Sequence, residues 1–162
     1  MPARGARKVH TWDLAAFDSP GTDRTARSSL SGLPRHLELP EVAVVVGVPG
    51  SDGRTVRDTL AHEPAGIVYQ GMGVGNASPG DAAALADAMR AGVPVLVTSR
   101  VQHGPVRPVY GGGGGRTLHD AGAIVAGDLT TAQARVLLSV CLAAGPDGAD
   151  RAREWIDTHC DC

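Results

Sequence analysis

Residues 65–100, AGIVYQGMGVGNASPGDAAALADAMRAGVPVLVTSR, constrain the fold more than any other stretch of the chain. They read as strand, glycine-rich turn, helix and strand. The apolar run ends in three alternate glycines, Gly71, Gly73 and Gly75, which allow a sharp reversal and present bare backbone amides, and Asn76 stands at their end. Ser78, Pro79 and Asp81 then supply an N-cap, a first-turn proline and an acidic third position. Ala82, Leu85, Ala86 and Met89 recur at helical spacing, and Gly92 closes the helix before the apolar run 93–97. A continuous apolar strand is buried on both faces. That pattern belongs to a parallel sheet covered by helices, in which ligands collect at the carboxyl ends of the strands, where the Gly-Asn turn would lie.

The remaining residues extend this unit. Residues 42–48 form a first apolar, β-branched strand, and the turn at 49–53 leads into a short helix with Val56, Leu60 and Ala61 on its apolar side. Residues 101–120 read as a long loop with two prolines and five successive glycines, 111–115. The glycine run invites comparison with a phosphate-binding loop. Arg116-Thr117-Leu118 follows it instead of a Lys-Ser/Thr pair, which favours a flexible spacer. Residues 122–126 give a fourth strand. Thr130 and Gln133 make the capping box of a helix running to about residue 143, with Val136, Leu137, Val140 and Cys141 towards the core. Pro146 ends it, and 150–159 form a last short helix.

These elements predict an α/β fold: a small open sandwich whose mostly parallel four-stranded sheet is flanked by helices. Three segments follow: a mobile arm and linker over 1–38, the α/β domain over 39–145, and a terminal helix and tail over 146–162. At 162 residues, 43% of them apolar, the chain holds one core of ordinary size. Of its 15 basic and 17 acidic residues, six basic and three acidic fall in residues 1–36. Scattered arginines with Trp12 and Phe17 make a solvated arm rather than a nucleic-acid surface. Three cysteines make no disulfide framework, which fits a reducing cytoplasm, and neither a signal peptide nor a membrane-spanning run is expected. His159, Cys160 and Cys162 lie close together, but three ligands at a terminus with no fourth read as a tail, so neither metal nor cofactor is expected. The Gly-rich turn misses the dinucleotide spacing and no acid follows the next strand, so a turn shaped by glycine alone stays open beside a ligand loop.

Three motifs go further than periodicity. GMGVGNASPGDAAAL, GVPVLVTSRVQHGPVRPVYGGGG and GAIVAGDLTTAQARVLL resemble, in order and spacing, the smaller C-terminal domain of the bacterial-type L-asparaginases. The resemblance covers residues 40–143. Upstream, KVHTWDLAAFDSP is similar to the stretch that begins at that family's catalytic lysine, which identifies Lys8, the sole lysine of the chain, with it. The resemblance implies hydrolysis of L-asparagine to aspartate and ammonia. It also implies a homo-oligomer in which Asn76, with Gly75 beside it, reaches into a neighbouring subunit's active site and holds the substrate. Val74 stands where the family usually has asparagine, and Gln133 where it usually has lysine. The family's nucleophilic threonine and its Thr-Asp pair belong to an N-terminal domain that would precede Met1, so the isolated chain is expected to be an incomplete catalyst. The alternative class is a stand-alone module that binds an amino-acid-like ligand or an intact asparaginase subunit. A truncated gene product with no function of its own is a third possibility.

Overall fold

The computed structural model of the chain describes residues 38–101 and 103–160. The expectations for Lys8, for the basic arm and for Cys162 lie outside them. Strands β1 (Val42–Val46), β2 (Gly66–Gly71), β3 (Val95–Ser99) and β4 (Ile124–Val125) form one sheet in sequence order, parallel throughout. Val44 pairs in register with Val68, and Val68 with Leu96. Helices α1 (Arg54–Leu60), α2 (Pro79–Arg90) and α3 (Gly115–Asp120) separate successive strands, and α4 (Thr131–Ala143) and α5 (Gly148–His159) complete the order.

The two faces of the sheet have separate partners because strand side chains alternate. Val45, Ile67, Tyr69, Val95 and Val97 form one buried cluster with Val56 of α1, Leu85 and Ala88 of α2 and Leu118 of α3. On the opposite face α4 packs close enough that a side chain on Gly66 would meet Leu138 and Leu142. Burying an aliphatic side chain of this kind contributes about 1.5–3 kcal/mol, so the fully buried Ile67, Leu85, Leu96 and Leu138 anchor both layers. The Thr130–Gln133 capping box forms as the sequence predicts. The last helix packs on α4 and β4 and buries Ala152 and Ile156.

Three local expectations are corrected. The first strand stops at Val46, and Val44 and Val46 are exposed (44% and 48%), because β1 is an edge strand that α4 covers only at its start. Its apolar run therefore did not mean burial on both faces. Val136 points to solvent, and the core face of α4 is Ala134, Leu137, Leu138 and Cys141. Residues 101–120 are not all loop: α3 begins within the glycine run, with Leu118 buried beneath it and Arg116 paired to Asp120 one turn on. Glycine's poor helix propensity hid that start.

Candidate functional site

The Gly-Asn turn sits at the carboxyl end of β2, as the strand order requires. Its backbone closes on itself: the Met72 amide donates to the Asn76 carbonyl at 2.8 Å, and the Asn76 amide donates to the Met72 carbonyl at 2.7 Å. Neighbouring segments brace it, since Ser99 Oγ donates to the Gly73 carbonyl and the Arg107 amide to the Val74 carbonyl. Gly75 is the tightest point. Its φ of +103° suits glycine alone, and a Cβ there would lie 2.4 Å from Val106 Cγ1. Asn76 is half-buried, and its Oδ1 accepts the Gly115 amide proton at 3.0 Å. The turn and the glycine run, 39 residues apart, thus meet at the Asn76 side chain.

Beneath the turn lies a buried polar cluster that sequence patterns did not single out. Ser78 caps α2, its Oγ accepting the Asp81 amide proton at 3.2 Å and donating to the Ser51 carbonyl at 2.7 Å. Asp81, read from the sequence as a helix-start acid, turns its carboxylate inward, where it is 1% exposed. There it accepts from Ser51 Oγ at 2.5 Å and from the Tyr69 hydroxyl at 2.8 Å. The only advance signal was a tyrosine within the apolar run of β2, since a buried phenol needs a partner.

Burial, reinforced by the hydrogen bond to Asp81 and its charge, pushes the Tyr69 phenol far above its ordinary value of 10.0. The unfolded chain therefore loses that proton first as the pH rises. The folded state is at full advantage below pH 10 and loses it progressively above, by about 1.4 kcal/mol per pH unit. In denaturant melts between pH 8 and 11, Tyr69→Phe is expected to remove that fall. A wild-type slope retained by the variant would show that another group is responsible.

A second polar set lies on the α4 side. Thr98 Oγ1 and Thr131 Oγ1 lie 2.9 Å apart, and Gln70 Nε2 donates to Thr131 at 2.8 Å. These hydroxyls tie α4 to the strand ends, and Arg100 bridges β3 to the Gly47 carbonyl. In α5, His159 stacks on Trp155 and its Nδ1 donates to the Trp155 carbonyl. Among the described residues no group of three or more histidines, cysteines and acids could hold a metal ion. No described helix is long and apolar enough to cross a membrane.

The model of the Glutaminase/Asparaginase C-terminal domain family matches residues 41–155, from the start of β1 into α5. The chain belongs to this family. It is 32% identical to a probable L-asparaginase of Deinococcus radiodurans over 93% of this chain and 51% of that protein. It is 28% identical to an L-asparaginase of Bacillus licheniformis over 90% of this chain and 49% of that one. A glutamyl-tRNA(Gln) amidotransferase subunit of Aeropyrum pernix shares 36% identity over 63% of this chain and 24% of its own length. The chain spans about half the length of the two L-asparaginases. Within the asparaginase C-terminal domain, the matched segment contains Gly75, Asn76 and the glycine run.

Proposed function

We propose that this domain supplies part of the amino-acid binding site of an amide-hydrolysing enzyme acting on L-asparagine, with Asn76 as the residue that holds the substrate and Gly75 as the backbone beside it. The observation that carries the reading is the half-buried Asn76 carboxamide, held at the carboxyl end of the sheet by a turn that the Met72–Asn76 backbone pair closes and by the Gly115 amide. Exposed Val101, Val109 and Tyr110 stand in the segment that follows β3 and braces the turn, and they favour a neighbouring subunit that closes over the turn.

Amide hydrolysis needs an activated nucleophile and donors for the oxyanion. The hydroxyls at this edge of the domain serve structure instead: Ser78 caps α2, Ser99 holds the turn, and Thr98 and Thr131 share one hydrogen bond. The domain's part is therefore to hold and orient substrate, and the nucleophile comes from outside the 41–155 segment. The resemblance assigns Lys8 an auxiliary catalytic role.

Two measurements test this. The purified chain, given L-asparagine, is expected to release ammonia no faster than a Lys8→Ala control, and release well above that control would place a nucleophile within the chain. The product L-aspartate is expected to shift the Asn76 side-chain amide resonance saturably, at the weak affinity of a partial site. A chain that shows no saturable shift would not carry the substrate-holding role.

A further inference from the structure

We propose that the last two glycines of the run, Gly114 and Gly115, form a clamp that decides which end of the Asn76 carboxamide faces the ligand. The inference rests on the reading of Asn76 as a ligand-binding residue and adds what orients it. A backbone N–H can only donate, so the atom that meets the Gly115 amide at 3.0 Å is the carboxamide oxygen, and flipping the group would lose the bond. Gly115 opens α3, where the first amides have no partner within the helix, and Gly114 at the N-cap has no side chain to offer. Asn76 supplies the missing acceptor from across the site.

With Oδ1 engaged, Nδ2 is the group left to act. Among the described residues it makes no hydrogen bond, and it lies on the side of the exposed Gly73, 3.8 Å from where a side chain there would begin. The group presented is a pair of N–H donors, so the ligand atom against it is an acceptor, a carboxylate or amide oxygen rather than an ammonium. Gly114 has no substitute at its position. A Cβ there would stand 2.8 Å from Asn76 Oδ1 and 2.5 Å from the Tyr110 carbonyl oxygen, displacing the carboxamide it helps to seat. The glycine run is therefore the positioning element of Asn76, and its lack of side chains is what lets α3 start against the turn.

The test uses the ¹⁵N-labelled chain with two readouts, amide exchange at Gly115 and titration with L-aspartate. Asn76→Ala is expected to speed Gly115 exchange about tenfold, because the amide loses the acceptor that Asn76 provides. Asn76→Asp, which keeps an acceptor oxygen, is expected to restore the protection while binding L-aspartate no better than Asn76→Ala, since it sets a carboxylate against the ligand's own. Exchange unchanged in Asn76→Ala, or Asn76→Asp exchanging as fast, would overturn the clamp. Gly115→Pro and Gly115→Ala add a Cβ at the same place and differ in the N–H. Proline suits a first helical position, and Gly114 before it is already extended. At matched melting temperatures the proline variant is expected to bind L-aspartate about fivefold more weakly than the alanine variant. Equal affinity would overturn the clamp as well. If the wild-type chain shows no saturable binding, the substrate-holding role fails, while Gly115 exchange still decides whether the clamp exists.

Discussion

Asp81→Ala is expected to lower the unfolding free energy of the domain by about 3 kcal/mol, a loss of more than a hundredfold in the folding equilibrium. Among the described residues, the substitution removes the acceptor of the Tyr69 hydroxyl and that of Ser51 Oγ. Tyr69 is fully buried, so its hydroxyl has no water to turn to, and an unsatisfied buried polar group costs about 1–3 kcal/mol. The cavity left by the carboxylate adds to this. The turn at Ser51 would also loosen from α2, because Ser51 is held there by this bond and by the one from Ser78 to its carbonyl. Asp81→Asn keeps an acceptor for the phenol and should cost less. Urea denaturation at pH 7 separates the variants, and a loss below about 1 kcal/mol for the alanine variant would mean that the cluster contributes little to stability.

The second large effect is expected at Gly75. Alanine there must adopt a φ of +103° and place its Cβ 2.4 Å from Val106 Cγ1, with Val97 Cγ1 at 3.2 Å behind it. Backbone strain of about 1–3 kcal/mol and overpacking of about 1–3 kcal/mol act together, and neither is relieved without moving the turn. Moving the turn displaces Asn76, the next residue. Gly75→Ala is therefore expected to lose about 4 kcal/mol of stability, or to keep part of it by opening the turn and exposing the Asn76 amide to exchange. A variant with wild-type stability and a protected Asn76 amide would refute the account of this turn. Gly92, with a φ of +88° and no neighbour within 4 Å of the missing Cβ, is the control that carries the backbone term alone.

The order of strands and helices was legible because each core element carries a local signal. The runs 67–69 of β2 and 95–97 of β3 are apolar without a break, and a strand in the middle of a parallel sheet is covered on both faces, so composition and position agree. The capping residues Ser78 and Thr130 fix their helix starts by hydrogen bonds that span only three residues. The motif order likewise pointed to the asparaginase family before any contact was known. Lys8 lies outside the described residues.

Where local signals were weak or shared by two structures, only the tertiary arrangement decided. β1 has the same apolar composition as its neighbours but lies at an edge, so Val44 and Val46 face solvent. Nothing within five residues of sequence records a strand's place in the sheet. The start of α3 within five glycines was hidden because what stabilises it, the core that buries Leu118 and the acceptor from Asn76, comes from residues outside the segment that forms it. Asp81 reads as a helix-start acid from its spacing, yet its carboxylate is claimed by Ser51 and Tyr69, 30 and 12 residues away. The sequence by itself determined the four strands, the helices other than α3 and their order, through interactions a few residues apart. The sheet position of each strand, the inward turn of Asp81 and the seating of Asn76 against Gly115 were decided by packing, because hydrogen bonds between distant segments leave no local pattern.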